Sequence, residues 1–116
     1  MSGIIGTSQS RFGIIGRSQD TAIAWAQYNM KGTPAIQDDF GFSTITDQST
    51  GTARLNFSTT MPNANYSAVA SGDADSTWTG AGTHASVTNT AYVQVYHVEN
   101  GSAVDTALQS VIVFGD

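Results

Sequence analysis

The feature that most constrains the fold is a two-residue alternation of apolar and polar side chains from residue 40 onward. In TARLNFST, residues 52–59, the apolar residues Ala53, Leu55 and Phe57 alternate with polar neighbours. Successive residues of a strand point to opposite faces, so this pattern predicts a strand with one buried face. Short runs of this kind, separated by Gly, Asn, Asp and Pro, favour an antiparallel all-β fold.

The alternation predicts about six strands, which together indicate an antiparallel β-sandwich. They lie within residues 21–33, 40–46, 52–59, 66–71, 91–98 and 108–115. Phe40 and Phe42 are expected on one face of the second strand. Turns are expected where Gly, Asn, Asp or Pro supplies tight geometry, at residues 29–32, 47–51, 61–66 and 99–102. The pair Asp38–Asp39 is assigned to a solvated turn, and residues 72–83 form the longest predicted loop.

Large core-forming side chains are scarce in this chain. Charged residues make up only 11% of the sequence, Leu occurs twice and Ala 14 times. A small domain with a thin core usually gains stability by packing against further copies of itself. The composition therefore favours a β protein that forms oligomers.

The charge balance argues against binding to nucleic acid. Nine acidic residues face four basic ones, Arg11, Arg17, Lys31 and Arg54, which are scattered along the chain. Phosphate-backbone binding needs clustered Lys and Arg. No apolar run approaches the ~20 residues of a membrane span, so no membrane insertion is expected. The N-terminus lacks the order of a signal peptide, which predicts synthesis in the cytoplasm.

The residues that usually carry chemistry form no recognisable catalytic or metal motif. His84 and His97 lack zinc-site spacing, and both are expected to be ordinary strand or loop residues. Asp73 and Asp75 could hold a hard cation, but the acidic ladder of a calcium loop is missing. We therefore expect no metal, no cofactor and no enzymatic activity. A small carbohydrate-processing enzyme is the weakest alternative, because no carboxylate pair is clearly presented across a cleft.

The predicted loop at residues 72–83 contains the strongest candidate contact for a receptor. An aromatic ring at the tip of a polar, Gly-rich loop can stack on a sugar face. The candidate contact residues for a receptor or carbohydrate are Asp73, Asp75, Trp78 and Thr79. The alternative is that the Trp78 ring folds over the sheet edge or packs against a neighbouring subunit.

Residues 20–71, DTAIAWAQYNMKGTPAIQDDFGFSTITDQSTGTARLNFSTTMPNANYSAVAS, resemble a module common in tailed-bacteriophage structural proteins. Its recurring phrases are AxAWxxxNGxGTxAI, FxxSxITDxxTGxxxxNFxTxMPxANY and a terminal strand ending VxVFG. They correspond here to Ala22–Trp25, Gly32–Thr33, Ala35–Ile36, Ser43–Gly51, Asn56–Phe57, Met61–Tyr66 and Val111–Gly115. The resemblance covers residues 2–71 and the last strand, and it implies a tail-fibre or other virion surface protein.

The same resemblance gives an interpretation of the N-terminal repeat, GIIGTSQ followed ten residues later by GIIGRSQ. Glycines permit close backbone approach, and three such arms could bury their Ile pairs against one another. Residues 1–20 are therefore predicted to be an anchoring or trimerising stem, and residues 21–116 a β-sandwich domain. The proposed stem contacts are Ile4, Ile5, Gly6, Ile14, Ile15 and Gly16.

The expected function is that of a non-enzymatic virion protein, a homotrimeric fibre or adhesin-like module used in host attachment. Its arm would dock to other virion proteins of the tail or capsid, and its loops could contact host surface polysaccharide. Several linked copies would strengthen weak individual contacts. Since the chain starts at Met1 with no shaft before the module, a capsid decoration, cement or head-fibre protein is the alternative expectation.

Overall fold

The structure, a computed structural model, describes residues 22–73 and 82–115, and these ranges contain nine β-strands. The strands are β1 Ala22–Asn29, β2 Ala35–Phe40, β3 Phe42–Ser49, β4 Thr52–Phe57, β5 Ser67–Gly72, β6 Gly82–Thr88, β7 Tyr92–Glu99, β8 Ser102–Ala103 and β9 Gln109–Phe114. One sheet has the order β2-β1-β9-β5, and the other has the order β3-β4-β7-β6 with β8 added on β7. All pairings are antiparallel, which confirms the predicted all-β antiparallel class. Within these two ranges, no helix is long and apolar enough to cross a membrane.

The chain passes from the first sheet to the second at Gly41, and the prediction of one continuous strand over residues 40–46 is wrong. Gly41 has a φ of +83°, and a β-carbon there would lie 2.7 Å from the Ile23 carbonyl oxygen. This left-handed conformation breaks the extended chain and suits glycine. Phe40 ends β2 with 57% of its surface exposed, whereas Phe42 begins β3 and is buried. The two rings therefore do not share a face.

Three strands, β2, β6 and the two-residue β8, were not predicted because they carry no clear apolar alternation. The first two are long enough to matter for the fold. Asp38 and Asp39, assigned to a turn, lie in β2, and β6 begins at Gly82 within the predicted loop. Both strands lie at sheet edges, where polar side chains discourage pairing with other chains. β3 also extends to Ser49, so the turn predicted at 47–51 is confined to its last residues.

The remaining predicted strands are confirmed as β1, β4, β5, β7 and β9, with their ends shifted by a few residues. The Asn100–Gly101 turn is confirmed as well, with both residues at positive φ as such two-residue hairpins require. In β4 the inward positions are Ala53, Leu55 and Phe57, as the alternation predicts.

The core lies between the two sheets and is built from small and β-branched residues with a few rings. Its buried apolar residues are Ala24, Ala26, Tyr28, Met30, Phe42, Ala53, Leu55, Phe57, Tyr66, Val93, Val95, Val111 and Val113. Phe57 stacks on Phe42 with ring centroids 5.1 Å apart and receives the edge of Tyr66 at 5.5 Å. Such aromatic pairs add about 0.5–1.5 kcal/mol beyond the area they bury. The three rings anchor one end of a core that otherwise has few bulky side chains.

Candidate functional site

A pocket of about 500 Å³ opens at one end of the four-stranded sheet, where β1, β5 and β9 approach their ends. We call it the Gln109 pocket. Its lining residues are Gln27, Ser71, Gly72, Asp73, Leu108, Gln109 and Ser110. The volume lies within the range of roughly 300–1,000 Å³ that is usual for small-molecule sites.

Strand register brings the outward-facing polar residues of this site together from distant parts of the sequence. Ser110 of β9 lies opposite Gln27 of β1 on one side and Ser71 of β5 on the other. The Ser71 and Ser110 hydroxyl oxygens are 2.9 Å apart and share a hydrogen bond. On the far side of β1, Asp38 lies opposite Gln27. These four residues form one line across the sheet, which we call the polar row.

Gln109 lies at the edge of the pocket, but its side chain faces the inner side of the sheet, opposite to the outward polar row. Only 1% of the residue is exposed, and its side-chain amide donates to the Thr106 hydroxyl at 3.0 Å. Its Oε1 atom is buried and has no hydrogen-bond partner among the residues that the structure describes. A buried acceptor left unpaired costs about 1–3 kcal/mol.

Tyr28, directly opposite Gln109 on the inner face of the sheet, has a second buried polar atom of this kind. Its hydroxyl has no hydrogen-bond partner in the described ranges. Burial raises the pKa of Tyr28 well above its ordinary value of 10.0, because the phenolate would lose its hydration. The Tyr28 hydroxyl and the Gln109 amide therefore lie in the otherwise apolar interior, at the end of the sheet where the pocket opens.

A buried network of hydrogen bonds backs the pocket at Gly72. The Thr83 hydroxyl lies 2.5 Å from Nδ1 of His97, and Nε2 of His97 lies 3.0 Å from the Glu99 carboxylate. With a neutral imidazole, Nε2–H donates to Glu99 while Nδ1 accepts from Thr83, and this assignment satisfies all three groups. A β-carbon on Gly72 would lie 2.5 Å from the Thr83 hydroxyl oxygen. Glycine at this position therefore leaves room for the network.

The network has the chemical groups of a hydrolase triad but not its accessibility. Hydroxyl, imidazole and carboxylate are the groups that activate a nucleophile in serine hydrolases. Thr83, however, is not among the residues that line the pocket. His97 is fully buried within β7. The arrangement therefore fits a structural link between β6 and β7.

Of the four residues predicted as receptor contacts, the structure describes Asp73. It is exposed, it lines the pocket, and its backbone N–H donates to the Leu108 carbonyl at 2.9 Å. Asp75, Trp78 and Thr79 lie outside the described residues. The predicted stem contacts, Ile4, Ile5, Gly6, Ile14, Ile15 and Gly16, also lie outside them. In ranges 22–73 and 82–115, no group of three or more His, Asp or Glu side chains could hold a metal ion.

Sequence reasoning did not single out the other pocket residues. One signal was available in β9, where the inward-facing positions are Gln109, Val111 and Val113. A glutamine in phase with two buried valines is unusual, because a buried amide needs partners. Gln27, Ser71 and Ser110 carry no such signal, since their proximity depends on strand register.

The outer face of the four-stranded sheet also carries a line of exposed apolar side chains. Trp25 lies opposite Phe40 on one side and Ile112 on the other, and Ile112 lies opposite Val69. The exposed fractions run from 36% for Trp25 to 65% for Val69. We call these four residues the apolar row. It crosses the whole sheet next to the polar row.

The outer face of the five-stranded sheet is polar, and its side chains bond to one another. The Arg54 guanidinium lies 4.4 Å from the centre of the Tyr92 ring, and its Nε donates to Gln94 at 2.9 Å. Asn56 donates to the hydroxyls of Thr44 and Thr46 at 2.9 and 3.0 Å. The two outer faces therefore differ in character, and the four-stranded sheet offers the apolar one.

The pocket and the start of β1 lie at opposite ends of the four-stranded sheet. Ala22 pairs with Phe114 at one end, whereas Tyr28 pairs with Gln109 near the other. At about 3.3 Å per residue, the two ends are roughly 20 Å apart. Residues 1–21 therefore join the described fold at the end remote from the pocket.

Comparison of the chain with known protein families, with curated protein sequences and with solved structures finds no match. The pocket, the apolar row and the separation of the two ends are the features from which a function can be argued.

Proposed function

We propose that this chain is a non-enzymatic structural protein of a bacteriophage particle. In this proposal it forms a homotrimeric fibre or adhesin-like module on the particle surface and serves in host attachment. The link to phage particles comes from the motif resemblance over residues 20–71. Catalysis is not part of the proposal, because the His97 imidazole is fully buried.

The observation that carries the proposal is the placement of the two ends of the four-stranded sheet. The arm of residues 1–20 leads into β1 at Ala22, and the pocket with Asp73 lies at the other end. If the arm docks to a virion partner, the pocket end is the one that can face away from the particle. This is the polarity that an attachment module needs.

The apolar row supports self-association, with a second copy of this chain as the occupant. Four strands about 4.8 Å apart and six residues long present a face of roughly 400 Å² in projection, and more when side-chain relief is included. Stable interfaces bury about 800 Å² on each partner. The row thus supplies the apolar centre of such an interface, and residues around it would have to supply the remaining area. Large exposed apolar patches of this kind usually mark interaction sites.

Sedimentation velocity of the full chain tests the proposed trimer and the role of the row. Wild-type protein is expected to sediment as three protomers. The double variant Val69→Thr/Ile112→Thr keeps β-branched residues but adds hydroxyls to the row, and it should shift mass toward the monomer. Val87→Thr is the matched control, because Val87 is also exposed but lies on β6 of the other sheet.

A monomeric wild type would overturn the proposed trimer. If Val87→Thr dissociates the trimer as much as the double variant does, the apolar row is not specifically part of the interface. If the double variant remains trimeric, the apolar row is not part of the interface either. That last result would leave the N-terminal arm as the sole trimerising element.

Quantitative mass spectrometry of purified particles tests the proposed location. A handful of copies per particle is expected for a fibre. Hundreds of copies would favour the alternative, a capsid decoration, cement or head-fibre protein. Absence of the chain from particles purified from producing cells would refute a virion role.

A further inference from the structure

We propose that the Gln109 pocket binds a short neutral saccharide. This inference rests on the proposed function in host attachment, and it names the ligand class of the attachment site. It is carried by the shape of the pocket, its hydrogen-bonding groups and its charge.

The lining demands a ligand that donates hydrogen bonds. Asp73 offers an exposed carboxylate, which only accepts hydrogen bonds when ionised. Gln27 can accept or donate, as can the Ser71 and Ser110 hydroxyls. A sugar carries many hydroxyl groups that donate and accept, so it can pair with all of these groups at once. A purely apolar ligand would displace water from these exposed groups without replacing its hydrogen bonds, at a cost in affinity.

The charge of the pocket argues against an acidic ligand. None of its seven lining residues is Lys or Arg, and Asp73 contributes a negative charge. The chain as a whole has a formal net charge of −5 at pH 7. A phosphate, sulfate or carboxylate group would therefore meet repulsion and no cationic partner. A neutral sugar avoids that penalty.

Leu108 supplies the apolar contact that a sugar ring needs. Its side chain is 43% exposed at the edge of the pocket, next to the polar groups of β9. A pyranose has C–H faces as well as hydroxyl edges, so an apolar surface beside hydrogen-bonding groups suits it. The combination of one exposed aliphatic side chain with several amide and hydroxyl groups favours a saccharide over a peptide or a lipid.

Along β9 the outward residues run from Ile112 through Ser110 to Leu108. The pocket therefore begins at the polar row, next to the apolar row, and extends to Leu108 and Asp73 at the end of the sheet. Self-association centred on the apolar row therefore places the pockets of several copies on one assembly. Linked sites of this kind raise the effective concentration of weak ligands.

A printed array of neutral, sialylated and phosphorylated oligosaccharides, probed with the labelled full chain, tests the inference. Binding to a subset of the neutral glycans is expected. The variants Gln27→Ala and Asp73→Asn change exposed side chains and should each weaken that binding by about fivefold, since one good hydrogen bond is worth on the order of 1 kcal/mol.

The matched controls are Asp47→Asn and Gln48→Ala, which are exposed on β3 of the other sheet and should bind like wild type. Thermal melting of each variant separates lost binding from lost folding. Three outcomes would overturn the inference: binding to acidic glycans alone, absence of glycan binding, or binding that the pocket variants leave unchanged. In the third case, loss on Trp78→Ala would move the contact to the loop predicted from sequence.

The pocket inference and the proposed function fail in different experiments. If the chain is found in particles but binds no glycan on the array, the pocket inference alone is refuted. A chain that binds neutral glycans through the pocket but is absent from particles would refute the virion role alone.

Discussion

Replacing each of two buried tyrosines by phenylalanine should change stability in opposite directions. The Tyr66 hydroxyl lies 2.9 Å from the Tyr92 carbonyl and 3.0 Å from the Asn89 carbonyl, and it accepts from the Asn89 N–H at 3.0 Å. The Tyr28 hydroxyl is buried with no partner among the described residues. The same deletion of one oxygen therefore breaks a network at one site and removes an unpaired group at the other.

The magnitudes follow from those contacts. Tyr66→Phe should cost roughly 1–2 kcal/mol, because a net hydrogen bond is worth about 1 kcal/mol and the groups left behind lose a partner. The cost stays near the low end, since the Asn89 N–H also reaches the Tyr92 carbonyl at 3.1 Å. Tyr28→Phe should leave the free energy of unfolding unchanged or raise it by up to about 1 kcal/mol, because it removes a desolvated hydroxyl.

Thermal melts of both variants at one protomer concentration provide the assay, because melting of an oligomer depends on concentration. For a domain of this size 1 kcal/mol corresponds to a shift of about 4–8 °C. The melting temperature of Tyr66→Phe should fall by at least this amount, while that of Tyr28→Phe should not fall. Equal destabilisation by the two variants would refute the reasoning, because it would mean that the Tyr28 hydroxyl has a partner in solution.

Two further predictions concern the polar end of the interior. Gly72→Ala should destabilise the fold by about 1–3 kcal/mol, because the new methyl group would displace the Thr83 hydroxyl from His97. The control is Gly82→Ala, where a β-carbon would have nothing within 4 Å, so its free energy of unfolding should be nearly unchanged in the same chemical denaturation series. Equal destabilisation by the two variants would contradict this account. Stability should also fall as pH rises above 10.0, because the unfolded chain then ionises at Tyr28 while the raised pKa keeps the folded residue protonated. Urea melts between pH 9 and 11 should show a shallower decline for Tyr28→Phe, and an unchanged decline would contradict the burial of that hydroxyl.

The strands that could be predicted from sequence are those in which every second residue is apolar and faces the core. β4 and β7 have this pattern, with Leu55 and Val93 among their inward residues, and their positions are confirmed. β2 and β6 are edge strands with mostly exposed residues, so alternation does not distinguish them from loops. The passage of the chain between the two sheets at Gly41 could not be predicted, because the alternation of apolar residues continues through it from Phe40 to Phe42. Only the backbone conformation of the glycine separates the two strands.

The candidate site was less predictable than the fold. Asp73 was singled out as a loop carboxylate, and it does line the pocket. Its neighbours Gln27, Ser71 and Ser110 come from three strands far apart in sequence, and a shift of register by one residue would turn each to the opposite face. The apolar row depends on the same register. Sequence patterns predicted the strands but not their alignment, and the site is a product of that alignment.

The most direct test of the central claim is an electron cryomicroscopy map of the intact phage particle that is proposed to carry this chain. The account predicts threefold density on the exterior, with the Ala22 end of each β domain toward the particle and the Gln109 pocket toward solvent. Density with the pocket end buried against the shell or tail, or with a single copy at each position, would contradict it.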